Sequence, residues 1–289
     1  MANLKEVRTR ITSVNSTQQI TKAMKLVSAT KLRRAQNAII QMRPYAQKLN
    51  GILANLSDSI DVDSLKVYFE PREVKNVTLV VITSDRGLCG SFNANVNKLA
   101  LKLANETYAG KNITILPIGK KGSEFFYRLG FKVDNSFRDT FLNLSADSAF
   151  SIGEYLLNLF KNNTTDKVEI VYNQFKNAAT QILSNEQFLP IPKQDFGSGK
   201  HNAKDYIFEP SKAEILEELI PRILKTTVYR SCLDSFASEH GARMVAMDKA
   251  TENAGDLLKA LKLEYNRARQ AAITKEISEI VGGAAALSS

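Results

Sequence analysis

The feature that most constrains the fold is a heptad repeat in the C-terminal part of the chain. Mostly apolar or small residues recur at alternating gaps of three and four positions from Leu216 to Ala272, and this stretch contains one proline, Pro221. Such a repeat keeps one stripe of a helix against one partner helix. Ser211 and Glu214 have the spacing of a capping box, so we expect the helix to begin there. A helix that continues to the end of the chain is on the order of 100 Å long, which a compact domain of this size does not bury alone.

The N-terminal part of the chain carries a matching repeat, which supplies the partner helix. A heptad frame begins at Leu4, returns in the same phase at Leu32 and continues to Leu56. Over this stretch the chain has one proline, Pro44, and no glycine before Gly51. We therefore predict a long antiparallel coiled coil of the N- and C-terminal helices.

The middle of the N-terminal frame is polar. The polar frame positions are Gln18, Thr21, Lys25 and Ser28. The apolar residues here move to a different face of the helix, at Ile20, Met24 and Val27. Two interpretations fit this change: a local stutter in a two-stranded coiled coil, or a stretch of helix that also faces a second protein.

The net charge of +9 is concentrated in the first helix. Residues 1–56 hold ten basic side chains and one acid, whereas the remainder of the chain has 29 of each. An acidic partner is therefore expected, either nucleic acid or an acidic loop or cavity of a protein. Tyr45 is the only aromatic residue of this helix, so the stacking side chains typical of single-strand binding are missing. A solvated charged face is the plainer alternative, although free surface helices usually mix both signs.

The central part of the chain alternates between strand and helix patterns. Strands are predicted at residues 77–83, 113–118, 131–137, 168–172 and 181–189. Helices are predicted between them at residues 93–108, 123–129 and 146–160. This alternation predicts an open α/β sheet of Rossmann-like type. The domain organisation that follows is a coiled-coil helix over residues 1–56, an α/β base domain over 75–209 and a second coiled-coil helix over 211–289.

The α/β domain offers no candidate active site. The loop at residues 85–90 follows a predicted strand, where ligands of α/β sheets bind, but its two glycines fit neither the dinucleotide fingerprint nor the P-loop. Cys89 has no histidine near it in sequence, so a structural cysteine is the simpler interpretation. The two histidines, His201 and His240, form no metal-ligand spacing. We therefore predict no catalytic residue, no cofactor and no metal.

The same sequence argues against secretion and membrane spanning. No apolar run approaches the ~20 residues that a transmembrane helix needs. Charged residues such as Lys5 and Glu6 occupy the N-terminal region in place of the apolar segment of a secretory signal. The two cysteines, Cys89 and Cys232, are compatible with a reducing cytosol.

Four segments of the chain carry a resemblance to a known family. They are residues 20–30 of the basic helix, residues 83–90 after the first strand, residues 237–247 of the last helix, and residues 269–284. The last of these resembles a C-terminal family signature, with Ile-Thr-x-Glu followed by Glu279 and then by Gly283 and Ala284. With these segments the chain resembles, over essentially its full length, the gamma subunit family of F-type ATP synthases.

The resemblance implies a fold and a function. Members of this family pair their terminal helices in an antiparallel coiled coil above an α/β base, and serve as the central rotor shaft of a proton-translocating ATP synthase. One copy turns inside a ring of three alpha and three beta subunits and couples rotation to ATP synthesis or hydrolysis. The base binds the epsilon subunit and the membrane ring of c subunits. The implied location is peripheral, on the cytoplasmic face of the bacterial plasma membrane or the equivalent face of another energy-transducing membrane.

The resemblance also implies contact residues. Contacts with the alpha/beta ring fall on Lys22, Met24, Lys25, Arg243, Gln270 and Thr274. Contacts with the c ring fall on the segment that contains Tyr206 and Glu209. The family's beta subunits present an acidic loop to the shaft, which suits the basic first helix.

A second class of function remains open at this point. Two coiled-coil arms around an α/β domain also describe a non-catalytic adaptor that binds nucleic acid or an acidic protein. The C-terminal end separates the two classes, because an adaptor is expected to end in polar, solvated residues. Instead the last residues include Ile277, Ile280, Val281, Ala284 and Leu287, which suit an enclosing apolar sleeve.

Overall fold

The computed structural model describes residues 4–56, 67–192 and 211–287 of the chain. It divides into two compact units. The first takes Met1–Ser28 together with Met244–Ser289, and the second takes Ala29–Arg243. Each unit therefore contains a part of both terminal helices.

The two predicted terminal helices are present. Helix α1 spans Leu4–Leu56, and helix α5 spans Lys212–Leu287. Ser211 precedes α5 and caps it, because its Oγ accepts the Glu214 N–H at 3.3 Å and donates to the Glu214 carboxylate at 2.9 Å. Helix α5 continues through Pro221, as the heptad frame that begins at Leu216 predicts. The buried side chains of Leu216, Ile220 and Leu224 hold the helix against the core on both sides of the proline.

The second unit contains the predicted α/β sheet. Its strands are β1 (Asn76–Ile82), β2 (Asn112–Ile118), β3 (Lys132–Val133), β4 (Lys167–Phe175) and β5 (Gln181–Leu189). The strand order is β3-β2-β1-β4-β5, parallel except for β5, which pairs antiparallel with β4. The helices between the strands are α2 (Phe92–Lys102), α3 (Lys120–Arg128) and α4 (Ala146–Lys161). A π-helical turn, Leu103–Thr107, extends α2, and a 3-10 turn, Thr140–Asn143, precedes α4.

The sheet is buried on both faces. Alternate residues of a strand point to opposite faces, so Val80 and Ile82 of β1 face one layer while Leu79 and Val81 face the other. The first layer contains α4 and the N-terminal half of α5, and the second contains α2 and α3. Burial on both faces accounts for the nearly continuous β-branched sequence of the strands.

One predicted strand is much shorter than expected. The pattern at residues 131–137 predicted seven residues of strand, but only Lys132–Val133 pair with β2. Asp134 ends the strand, because its carboxylate accepts hydrogen bonds from the backbone N–H and the hydroxyl of Ser136 at 3.1 and 2.6 Å. This local turn competes with continued strand pairing.

Candidate interaction surfaces

The structure joins two of the sequence motifs in one buried network within the second unit. Arg243 of α5 lies beside the loop that follows β1, which we call the β1 loop (residues 85–90). Its Nη2 donates to the backbone carbonyls of Arg86 and Gly87 at 2.9 and 3.3 Å, and its Nε donates to Gly87 at 3.4 Å. Its Nη1 contacts the Glu239 carboxylate at 2.5 Å and His240 Nδ1 at 3.3 Å. Only 8% of the Arg243 side chain and 8% of the Glu239 side chain are exposed.

Burial shapes the titration of this network. It raises the pKa of Glu239, an effect that the neighbouring Arg243 guanidinium opposes. Burial also lowers the pKa of His240 to about 3, and the positive charges of Arg243 and Lys31 act in the same direction. The imidazole is therefore neutral near pH 7, and it packs edge-on against the Phe236 ring at 4.5 Å between centroids.

The β1 loop is anchored at its other end by polar side chains. Asn93 at the start of α2 accepts the Ser84 N–H at 2.9 Å, and its amide donates to Cys89 Sγ at 3.3 Å. Cys89 is 2% exposed, and burial raises the pKa of its thiol. Between these anchors Leu88 adopts a φ of 62° and is 66% exposed. A left-handed, exposed leucine is uncommon and marks a candidate functional position.

Helix α5 occupies the place where a doubly wound sheet usually binds its ligand. After β1 the chain adds strands on one side, and from β4 it adds them on the other side. The usual ligand crevice lies beyond the carboxyl ends of these two neighbouring strands, β1 and β4. Arg243 contacts the loop after β1 there. Gly241 lies against the loop after β4, since a Cβ at this glycine would stand 3.1 Å from the Cα of Ala178. The chain's own helix therefore fills the crevice.

The first unit contains an antiparallel helix pair with a polar seam. Gln18 Nε2 donates to the Thr251 carbonyl at 3.4 Å, and the Thr251 hydroxyl donates to the Thr21 hydroxyl at 2.8 Å. Lys25 Nζ lies 2.5 Å from Asp248 Oδ1. Thr21 and Ser28 are buried, so the heptad frame keeps its phase through the polar stretch. The local-stutter interpretation is therefore wrong.

Keeping this phase turns an apolar face outward. Ile20 and Val27 are more than half exposed, and Met24 between them is partly exposed. Lys22 is also exposed, on the other flank of the helix, and forms no ion pair among the described residues. We call the exposed surface of α1 with Ile20, Met24 and Val27 on one flank and Lys22 on the other the outward face. It suits a second protein better than solvent, because it offers apolar surface and, on the adjoining flank, positive charge.

The last described turns of α5 are exposed. Every residue from 273 to 284 is exposed, including Ile273, Ile277, Ile280 and Val281. In an antiparallel pair with the contacts above, Leu4, the first residue of α1, comes opposite about Ala268, so the described part of α1 does not extend alongside α5 beyond that point. Gln270 and Thr274 lie at this transition and are both exposed. A helical segment that exposes several apolar residues is typically covered by another protein chain.

The remaining predicted contacts are placed differently. Tyr206 and Glu209 lie outside the described residues. Among the six predicted ring contacts, Lys25 and Arg243 have partners within this chain, whereas Lys22, Gln270 and Thr274 are exposed and Met24 is partly exposed. Within residues 4–56, 67–192 and 211–287, no His, Cys, Asp and Glu cluster is arranged to hold a metal. None of the helices in those ranges has the length and apolar character needed to cross a membrane.

Sequence reasoning missed the network around Arg243 and the exposed Leu88. Glu239 and Arg243 stand four residues apart, the spacing of an ion pair on one helix turn, and this signal was available in the sequence. The carbonyl partners of Arg243 were not predictable, because they depend on the conformation of the β1 loop.

These features define a class of protein. The helical pair has uncovered apolar faces, and the ligand crevice of the doubly wound domain is filled by the chain itself. Such a chain is a subunit of a larger assembly. Comparison with known proteins agrees. A family model described as ATP synthase matches residues 3–287. The ATP synthase gamma chain of Cytophaga hutchinsonii is 57% identical over 99% of each chain. The chain therefore belongs to the ATP synthase gamma chain family, a family of subunits of an enzyme complex.

Solved structures show the same fold. The central stalk and c-ring structure of Tetrahymena thermophila mitochondrial ATP synthase matches 80% of this chain and 99% of its own matching chain, with 25% identity and a TM-score of 0.57. A chain of the Euglena gracilis mitochondrial ATP synthase matches with a TM-score of 0.66 and 21% identity, covering 98% of this chain and 94% of that chain. The predicted combination of long terminal helices and an α/β sheet is thus confirmed.

Proposed function

We propose that this chain is the central rotor shaft of a proton-translocating F-type ATP synthase, present as one copy per complex. It transmits rotation of the membrane c ring to the alpha and beta subunits, where ATP is made or hydrolysed. The observation that carries the proposal is the fully exposed end of α5, residues 273–284, with its apolar residues. A helix of this kind gains stability only when an enclosing apolar surface covers it.

The shaft itself takes no part in the chemistry. The crevice in which a sheet of this type would hold a nucleotide is filled by Arg243 and by the close approach of Gly241 to Ala178. ATP chemistry therefore belongs to the partner subunits. The shaft acts by contacting each of them differently as it turns, because a binding partner shifts a conformational equilibrium by its difference in affinity for the two states.

The outward face of α1 is the proposed contact for the acidic loops of the beta subunits. Lys22 supplies a positive charge that has no ion-pair partner among residues 4–56, 67–192 and 211–287, and Met24 supplies apolar surface at the same level of the helix. Lys25 contacts Asp248 across a pair in which both side chains are partly exposed, so a passing carboxylate can compete for this cation. Gln270 and Thr274 form the second contact, at the point where α5 leaves α1.

The base of the shaft is the proposed contact for the epsilon subunit and the c ring, through the segment that contains Tyr206 and Glu209. The complex is proposed to lie on the cytoplasmic face of the bacterial plasma membrane, or the equivalent face of another energy-transducing membrane. No cofactor is assigned to this chain.

Charge reversal at the outward face tests the proposal. We expect Lys22→Glu to reduce ATP-driven proton pumping in membranes that carry the assembled complex, while Lys98→Glu, at an exposed lysine of α2, leaves it unchanged. Reconstitution with alpha and beta subunits should yield one copy of this chain per ring. A chain that fails to join the ring but retains duplex DNA or RNA would instead be the nucleic-acid-binding adaptor.

A further inference from the structure

We propose that Arg243 is a positioning residue that holds Leu88 in a partner-facing conformation, and that it acts through the β1 loop rather than by touching the ring. This inference rests on the proposed function of the chain as a rotor shaft. It assigns to Leu88 the direct contact with an apolar surface of the ring, and to Arg243 the task of keeping that contact in place.

Arg243 has no free hydrogen-bonding group to offer a partner. Its three guanidinium nitrogens contact the carbonyls of Arg86 and Gly87, the carboxylate of Glu239 and the ring of His240. The side chain is almost completely buried. A direct bond to another subunit would first have to break this network and leave the Glu239 carboxylate buried without its cation.

Leu88 shows the complementary properties. It is largely exposed and apolar, and its left-handed backbone is unfavourable for a residue with a side chain. Such a conformation persists only where the neighbouring residues are fixed. Here the two preceding carbonyls are held by Arg243, and the following residue, Cys89, is buried and contacted by Asn93.

The chemistry of the network requires arginine. A guanidinium donates in several directions from one plane, so it contacts two carbonyls of the loop and one carboxylate of the helix at the same time. A lysine ammonium at the same place keeps the charge but lacks the planar fork. Arg243→Lys is therefore a conservative change that should loosen the β1 loop without leaving a buried carboxylate unpaired.

The two cysteines of the chain make this loosening measurable. Cys89 lies at the end of the β1 loop, and Cys232 is buried in the α/β core, where it reports loss of the whole fold. We expect Arg243→Lys and Glu239→Gln to raise the rate of maleimide labelling at Cys89 of the full chain at least tenfold, with Cys232 still protected. Arg128→Gln, at an exposed arginine of α3, is the matched control and should leave both rates unchanged.

The functional arm uses the assembled complex. We expect Leu88→Ala and Arg243→Lys each to lower the number of protons pumped per ATP by about twofold or more. The double variant should be no worse than the more severe single variant, because both changes remove the same contact. Effects that multiply in the double variant would show that Arg243 contacts the ring independently, and would overturn the proposal.

Two results of the labelling arm would also overturn it. An unchanged Cys89 rate in Arg243→Lys would show that the arginine does not hold the loop. Equal increases at Cys89 and Cys232 would show that it supports the whole domain. These failures differ from failure of the proposed function, which would appear as a wild-type chain that does not join the ring or drive pumping.

Discussion

The buried histidine of the network predicts a specific pH dependence of stability. His240 is 4% exposed and faces the positive groups of Arg243 on its own helix and Lys31 on α1, with the Glu239 carboxylate also in the network. Its pKa in the folded chain is about 3, against a reference value of 6.5. As the pH falls below about 6.5, the unfolded chain therefore binds a proton at this residue while the folded chain does not.

The magnitude follows from that difference. Stability from the neutral histidine is fully present above pH 6.5 and declines toward pH 3 by up to about 1.4 kcal/mol per pH unit. Between pH 7.5 and 5.5 the expected loss from this one group is about 1.4 kcal/mol. Most carboxyl groups remain ionised in this interval. Glu239, whose pKa is raised by burial, changes stability in the opposite direction, so the contribution of His240 is measured as the difference between wild type and a His240 variant.

Urea unfolding of the full chain at these two pH values is the assay. His240→Gln and His240→Phe should each remove about 1.4 kcal/mol of the pH dependence, whatever their effect on stability at pH 7.5. Arg128→Gln, at an exposed arginine outside the network, is the matched control and should retain the full pH dependence. If wild type and both His240 variants lose the same free energy of unfolding between pH 7.5 and 5.5, His240 does not have a lowered pKa in the folded chain.

Three further predictions concern other parts of the molecule. Gly241→Ala places a methyl group 3.1 Å from the Ala178 Cα and should lower the free energy of unfolding by about 1–3 kcal/mol. The control Gly282→Ala meets nothing within 4 Å and should be neutral or slightly stabilising in the same urea titration. Lys25→Ala should change the free energy of unfolding by less than about 1 kcal/mol, because the ion pair of Lys25 with Asp248 is partly exposed. The same change should lower the number of protons pumped per ATP in membranes. A large loss of stability with unchanged pumping would contradict this assignment. Deletion of the residues after Gly283 should leave substantial ATPase activity in the assembled complex, because small residues make only weak contacts with an enclosing apolar sleeve. Deletion from Gln270 onward should abolish most of the activity, because it also removes the proposed contacts Gln270 and Thr274. Equal losses across a graded truncation series would contradict this assignment.

The heptads and the β-branched runs were sufficient to predict the architecture. Both are local periodic patterns, which can be recognised in a single sequence, and they located α1, α5 and all five strands. The third strand was overestimated because Phe131 to Phe137 alternates like a strand, while the Asp134 turn that ends it depends on one side chain. Helix α5 continues through Pro221, as predicted, because core packing around this residue outweighs the lost hydrogen bond.

The interaction surfaces were predictable only in part. The change of face at Ile20, Met24 and Val27 is visible in the sequence, but only the Thr21–Thr251 contact shows that the helix pair stays in phase beneath it. Arg243 was expected to face the ring, yet the structure buries it against the β1 loop. That contact joins residues more than 150 positions apart, and no local pattern records it.

Single-molecule observation shows directly whether this chain rotates inside the ring. The ring of alpha and beta subunits is fixed to a surface, and a bead or gold rod is attached to a cysteine introduced at Tyr127, an exposed position of the α/β domain, in a background that lacks Cys89 and Cys232. When ATP is added, we expect the probe to rotate in one direction at a rate that rises with ATP turnover. ATP hydrolysis by the assembled ring with a stationary or randomly moving probe would contradict the assignment of this chain as the rotor shaft.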